Sequence, residues 1–394
     1  MSTLEMLWGT LAALLAVPVT TLLAQVMAAG RGYRPEADGA TANRPPLAVL
    51  VPAHNEAAGI GPVVQCLVSQ CGAGDRVLVV ADNCDDDTAA CATAAGAEVV
   101  VRHDPQRRGK GYALACGVDW LSRHSPPPVV VVVDADCWLA PGSLDALARD
   151  CLARSVPVQG LYLMNAPDGA SVGQRLSAFA WRLRNQVRPR GGVRLGMPCQ
   201  LMGSGMAFPW ALLSQAPLAS GNLVEDMQLG LDLAMAGQAP RFLESARIDS
   251  DFPRAGAAAD RQRTRWEHGH MHTLLRQTGP LWRAAWRRRD LSVLGLWLDL
   301  SVPPLALLVL LLGLLMVGAL ALAVWLQVVW PVALASALFL GLMLAVGRAW
   351  RLAGTDLLSG ADWAGLPAYV WRKLPLYARF FGRREQDWKR TDRN

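Results

Sequence analysis

The apolar positions of this chain fall into membrane-length runs at either end and strand-length runs between them. Leu7 to Ala29 contains no charged residue, and neither does Leu305 to Val346. The first run is about one bilayer span, and the second, interrupted near Gln327, Trp330 and Pro331, predicts two spans joined by a tight turn. The shorter runs are "LAVLVP" (47–52), "RVLVVAD" (76–82), "AEVVVRHD" (97–104) and "PVVVVVDAD" (128–136). Their β-branched residues show no polar alternation, the pattern of strands covered on both faces of a parallel sheet. Helical patterns separate them at 56–71, at 85–95 with Asp85 as N-cap and Gly96 as the stop, and at 110–123. Further on, 157–166 reads as a strand and 171–187 as a helix. Glycines flank Ser204 in "LMGSGMAF", where the backbone must pass close to something.

This alternation predicts an α/β fold, a doubly wound and mostly parallel sheet flanked by transmembrane helices, with its ligand at the carboxyl edge of the strands. The expected organisation is a first membrane helix in 1–30, a soluble domain in 31–280 and a juxtamembrane segment in 281–304. Two membrane helices in 305–347 and a basic, Trp-rich tail in 348–394 complete it.

Charge refines the picture. The formal net charge is +6, and its basic residues crowd beside the apolar runs: Arg31, Arg34 and Arg44 after the first, Arg283 and Arg287 to Arg289 before the second, Arg348, Arg351, Arg372 and Lys373 after the third. By the positive-inside rule the soluble domain is expected in the cytoplasm, on a multi-pass protein of the inner membrane. Met1 to Met6 carries Glu5 and no Lys or Arg, which speaks against a cleaved signal peptide. Membrane lipids account for the charge, and no nucleic-acid partner is expected. The 8 cysteines are scattered and suggest neither zinc nor disulfides.

The chemistry concentrates at strand ends. Asp134 and Asp136 follow five valines, and two converging carboxylates need a cation; a hard divalent ion, Mg²⁺ or Mn²⁺, is the simplest. "VPAHNEAAG" after the first strand is not the Gly-x-Gly-x-x-Gly of a dinucleotide site, which excludes hydride-transfer enzymes of that type. The second and third strands also end on polar residues, Asp82 and His103 among them. Glu225 and Asp226 occupy the first turn of a helix whose apolar face is Leu229, Leu233 and Met235; the dipole there favours an ionised carboxylate suited to general-base work. In "RQRTRWEHGH", Gln262 and Arg265 share a helix face beside Trp266, while His268 and His270 point apart and suggest no metal.

Together these residues resemble the family 2 glycosyltransferases of GT-A fold, in particular the membrane-bound branch of cellulose, chitin and hyaluronan synthases and related exopolysaccharide enzymes. "VPAHNEA", "VVADNCDDDT", "RRGKGYAL", "DAD", "VED" and "QRTRW" follow the family's order across 45–270. The resemblance implies inverting, metal-dependent transfer of a sugar from a nucleotide-sugar donor, a UDP-sugar by the family's habit, to a lipid-linked or growing polysaccharide acceptor. Pro52, His54, Glu56 and Asp82 are then expected at the nucleoside, Lys110 at the diphosphate, and Asp134 at the nucleotide or sugar, sharing the metal with Asp136. Asp226, beside Glu225, would be the base, and Arg265 would steady the leaving diphosphate. Gly203, Ser204, Gly205, Gln262 and Trp266 are expected along the acceptor groove. Three spans are fewer than polymer-extruding synthases carry, which favours a separate export partner. The complete Gln-x-x-Arg-Trp keeps processive synthesis as the alternative. A catalytically silent nucleotide-sugar-binding subunit of a secretion complex is a third reading, opposed by the full set of carboxylates.

Overall fold

The computed structural model describes residues 2–30, 44–219, 224–252 and 257–382, with side chains omitted for 257–263 and 381–382. In chain order its first elements are α1 (Thr3–Ala28), β1 (Leu47–Ala53), α2 (Ile60–Val68), β2 (Arg76–Asp82), α3 (Thr88–Ala94), β3 (Glu98–Arg102), α4 (Lys110–Arg123), β4 (Val129–Val132) and β5 (Trp138–Leu139). There follow α5 (Ser143–Arg154), β6 (Val158–Asn165), α6 (Val172–Arg182), α7 (Arg188–Arg194), β7 (Met206–Pro209), α8 (Trp210–Leu213), α9 (Glu225–Met235) and β8 (Arg241–Asp251). Last come α10 (Ala257–Arg288), α11 (Leu291–Ser301), α12 (Leu305–Leu326), α13 (Trp330–Ala353) and α14 (Leu366–Gly382). A π-helical turn, Leu183–Val187, joins α6 to α7.

Contacts divide the chain into two units. A sheet unit draws on Gly32–Pro167 and Pro198–Gln262, a helical unit on Met1–Arg31, Asp168–Met197 and Arg263–Glu385. This division puts 168–197, read from the sequence as part of the soluble domain, with the helices.

The sheet has eight strands in the order β3-β2-β1-β4-β7-β6-β8-β5. Strands β3, β2, β1 and β4 are parallel neighbours, which carries their ends to one edge. Strand β7 then runs antiparallel between β4 and β6; β8 is parallel to β6, and the two-residue β5 pairs antiparallel at the margin. The valines of β4 are buried throughout, as are Ala48, Leu50, Leu78 and Val80 beside them, and Leu114 and Leu121 of α4 with Leu229 and Leu233 of α9 close over one face. Two glycines let β6, β7 and β8 approach. A Cβ at Gly160 would lie 2.5 Å from Ile248 Cδ1, and one at Gly205, whose φ is +68°, would collide with the same side chain.

Local chemistry moves two predicted helix starts. Helix α3 begins at Thr88, not beside Asp85, because the Asp86 carboxylate accepts from the amides of Thr88 and Ala57, both at 3.1 Å. Asp85 instead donates its own amide to Asn55 Oδ1 at 2.7 Å. Helix α2 begins at Ile60, since the Glu56 amide is spent on Thr88 Oγ1 at 2.8 Å. Strands β5 and β8 and helix α5 were not anticipated.

In the helical unit α1, α12 and α13 are long and apolar enough to cross a membrane. Their shared core includes Trp8, Leu22, Leu312 and Leu342, and Leu176 and Phe179 of α6 belong to it. A buried polar knot crosses this core. Arg188 donates from Nε to Gln25 Oε1 at 2.9 Å and from Nη2 to Asp299 Oδ1 at 2.7 Å, and Gln25 Nε2 donates to the same carboxylate at 2.7 Å. Each buried group thereby has a partner, without which burial would cost several kcal/mol. Gly191 touches the Gln25 backbone, and any side chain there would collide with it.

Candidate active site

The carboxyl ends of β1, β2 and β3 form one polar platform. Asp82, last in β2, is buried, and its Oδ1 accepts from Arg102 Nη1 at 2.5 Å and from Asn83 Nδ2 at 2.9 Å. Asn83, at a φ of +51°, turns its Oδ1 to the Asp104 amide at 2.7 Å. His54 Nδ1 lies 2.6 Å from the Asp82 carbonyl oxygen, and Pro52 pairs with Val80 in register. Glu56 is half-buried in the turn that follows β1. The four residues expected at the nucleoside thus share one edge. Arg102 was not anticipated; the sequence signal was an arginine closing a valine strand, and its register with Asp82 on the neighbouring strand emerges only in the fold.

A second cluster lies at the end of β4. Lys110, first residue of α4, places Nζ 2.5 Å from Asp134 Oδ1 and 2.6 Å from the Gly203 carbonyl oxygen. Burial alone would lower the pKa of its ammonium group, but Asp134, Glu225 and Asp226 outweigh that and hold it raised. Gly203 has a φ of +95°, and a Cβ there would sit 3.2 Å from Asp226 Oδ2, 3.6 Å from Lys110 Nζ and 3.8 Å from Asp134 Oδ2. A glycine is required both by the left-handed backbone and by the groups crowding its vacant face. Its neighbours do other work: Ser204 is buried and its Oγ accepts the Asp134 amide at 3.1 Å, and Gly205 packs on Ile248. This corrects the expectation that all three line a groove, because only Gly203 faces the carboxylates.

The donor set beside Asp134 favours a hard cation. Oxygen and sulfur atoms of Asp134, Asp136 and Cys137 lie within 4.8 Å of one another. Burial, reinforced by Asp136 and Asp134, pushes the Cys137 thiol well up, so it stays protonated and is a poor ligand. Two carboxylates remain, which suits Mg²⁺ or Mn²⁺ better than zinc.

Glu225 and Asp226 form the first turn of α9, whose N-cap, Val224, supplies no side-chain cap. The helix dipole there is left for anionic groups to balance. A cavity of about 190 Å³ opens beside them, lined by Lys110, Leu114, Leu218, Asp226, Leu229 and Asp232.

Residues 45–269 match the family model described as "Glycosyltransferase like family 2". This chain belongs to glycosyltransferase family 2. An uncharacterized glycosyltransferase of Mycobacterium tuberculosis is 32% identical over 193 residues, 45% of this chain and 81% of its own. Among solved structures, a mannosyltransferase from Pyrobaculum calidifontis, determined with GDP-Man and Mn²⁺, aligns over 96% of this chain and 99% of its own at a TM-score of 0.54 and 17% identity. That likeness confirms the GT-A fold. Glucosyl-3-phosphoglycerate synthase of M. tuberculosis, solved with Mn²⁺ and UDP, aligns over 61% of this chain and 84% of its own at a TM-score of 0.40 and 25% identity.

Three further predicted residues of this glycosyltransferase lie on α10. Trp266, in the helical unit, sits 5.2 Å from Trp181, ring centre to ring centre. Arg265 has a buried Nε that makes no hydrogen bond among the described residues. The side chain of Gln262 lies outside the described residues.

Proposed function

We propose that this glycosyltransferase moves a sugar, with inversion, from a nucleoside diphosphate donor to a lipid-linked or growing polysaccharide acceptor at the cytoplasmic face of the inner membrane. The observation that carries the reading is the convergence of Lys110, Asp134 and Asp226 on the bare face of Gly203. A donor-side carboxylate, a cation and a candidate base then meet where the reacting carbon must sit.

The residues take these parts in the proposal. His54, Glu56 and Asp82, with Pro52 beside them, receive the nucleoside, and Arg102 holds the Asp82 carboxylate in place. Lys110, held protonated, neutralises diphosphate charge as the bond to the sugar breaks. Asp136 with Asp134 would hold Mg²⁺ or Mn²⁺, which when bound supplies Lewis-acid charge to the same oxygens. Asp226 takes the proton from the acceptor hydroxyl, favoured as an anion by the α9 dipole. One base opposite the leaving group suits inversion. Arg265 steadies the departing diphosphate and Trp266 offers an aromatic face to a sugar ring.

UDP-sugars are proposed as donors, with GDP-sugars next, since the Pyrobaculum enzyme was solved with GDP-Man. The membrane-bound polysaccharide synthase branch is proposed on the three spans and the Gln262-x-x-Arg265-Trp266 segment, which also favours processive addition as the second reading. The test is nucleoside diphosphate release by the full chain in lipid with Mn²⁺ or Mg²⁺, across UDP-, GDP- and dTDP-sugars. Release from one donor, abolished in Asp226→Asn, is expected; equal release by wild type and variant would reject Asp226 as the base.

A further inference from the structure

The cavity beside Glu225 and Asp226 reaches into the core of the sheet unit. Leu114 of α4, Met206 of β7, Leu218 after α8 and Leu229 of α9 line it, and all four belong to the buried apolar cluster between the sheet and these helices. Helix periodicity explains the walls. Lys110 and Leu114 lie four residues apart on α4, and Glu225, Gln228, Leu229 and Asp232 follow one another along one side of α9. Each helix thus presents charge in its first turn and aliphatic carbon one turn further in. Asp232, two turns from Glu225 and so about 10 Å along α9, adds a polar group at the other end. Its Oδ1 accepts from Gln228 Nε2 at 2.8 Å, and burial, which outweighs that bond, pushes its carboxyl pKa up.

Between these ends the walls are aliphatic, and no aromatic side chain lines the cavity. A sugar ring seated there would leave hydroxyl groups unpaired against Leu114, Met206, Leu218 and Leu229, which is costly. An aliphatic group would instead gain by leaving water. An apolar cavity of about 150 Å³ accepts benzene, so one of about 190 Å³ suits roughly six to eight carbons. The charged mouth is formed by Lys110, Glu225 and Asp226, so a ligand that fills the cavity carries a polar atom close to its aliphatic part.

We propose that the acceptor's reacting hydroxyl is joined closely to an aliphatic segment of about six to eight carbons, which lies between α4 and α9 while the hydroxyl meets Asp226. A lipid alcohol and a fatty-acylated sugar share that chemistry. As the acceptor oxygen bonds to the anomeric carbon, its proton passes to Asp226 and the electron pair of the broken bond leaves with the diphosphate. The inference rests on the reading of Asp226 as base and names the acceptor class for it. It is tested on the full chain in nanodiscs with octanol carrying a mid-chain diazirine. Photo-adducts mapped by mass spectrometry to Leu114, Met206 or Leu229 are expected, competed away by plain octanol and not by methyl glucoside. They should fall about tenfold in Leu218→Trp and in Leu114→Phe, which fill the cavity. Calorimetric donor affinity within a factor of about two of wild type checks that each variant has folded. Nucleoside diphosphate release should be about fivefold higher with octanol or an octanoylated methyl glucoside than with methyl glucoside, and the faster of the two identifies the source. Adducts confined to α1, α12 and α13, or undiminished in the folded variants, would overturn the proposal, as would equal release with methyl glucoside. If no donor gives release, the adducts alone decide. Adducts in the cavity together with release that Asp226→Asn leaves unchanged would reject Asp226 as the base and leave the apolar subsite standing.

Discussion

The two halves of the sheet are built by different means. Strands β3, β2, β1 and β4 are parallel, apolar along their length and polar only at their ends, so their chemistry is delivered by position alone. Strands β7, β6, β8 and β5 are joined mostly antiparallel, and they close because Gly160 and Gly205 make room for Ile248. The first half presents side chains: Asp82, Arg102 and Asp134. From beyond the second half's glycines come a bare backbone at Gly203 and, on the helix that follows β7 and α8, Asp226. The difference implies that donor binding depends on the parallel half, whereas the proton transfer proposed for Asp226 depends on the chain threaded through the other.

The strongest test of that separation is Asp226→Asn. Turnover should fall about 1,000-fold, the scale of a lost general base, while calorimetric donor affinity stays within a factor of two. An equal loss of donor affinity would end the comparison. Chelation should act on the opposite side: donor affinity measured by the same titration should drop with EDTA and return with Mn²⁺ or Mg²⁺, and Asp136→Asn should not recover. Arg102→Met removes the partner of a buried carboxylate, so unfolding in detergent should be easier by about 3 kcal/mol and the donor KM should rise with kcat little changed. A raised donor KM without loss of stability would show that Arg102 touches the nucleotide itself.

In the mixed half, Gly205→Ala should cost about 2 kcal/mol through collision and its left-handed backbone. Ile248→Ala in the same chain should return part of that, read as the thermal midpoint. The smallest effect is expected at the amino edge of the sheet, away from the chemistry. Burial would raise the Asp75 carboxyl, but Arg44, at 2.6 and 2.8 Å, and the amides of Leu47 and Gly72 outweigh it and hold the pKa below the usual range. A carboxyl lowered in this way stabilises the fold above its ordinary pKa, and that contribution fades as pH falls through the lowered value. Asp75→Asn should therefore flatten the acid limb of a thermal midpoint against pH profile and leave donor KM untouched.

What could be read from the sequence follows the same division. Apolar runs give strands β1 to β4 away directly; β1, β2 and β4 are buried on both faces as their composition predicts, whereas β3, at the margin of the sheet, leaves Val101 exposed. The carboxylates after them were equally visible. Strand β8 mixes Glu244, Arg247 and Asp249 with apolar residues, and β5 has two residues, so their pairing is decided by distant glycines and not by local pattern. The family resemblance put Ser204 along the acceptor groove, while the flanking glycines said only that the backbone passes close to something; the two glycines serve different neighbours. Arg102 escaped because its partner stands on another strand. The stretch from 168 to 197 reads as an ordinary amphipathic helix, and nothing local reveals that Leu176, Phe179 and Val187 belong to the core of α1, α12 and α13.

That stretch restricts how the molecule can be dissected or synthesised. The chain leaves the sheet after β6, runs through α6 and α7 among the membrane-length helices, and returns to lay down β7. No single cut separates the two units, and a fragment such as 44–252 would carry Phe179, Val187 and Arg188 stripped of their partners. During translation β7 and β8 emerge only after this excursion, when α1 is the only membrane-length helix yet made. Gly191, which lies against the Gln25 backbone of α1, is thus in the chain before the sheet has all its strands.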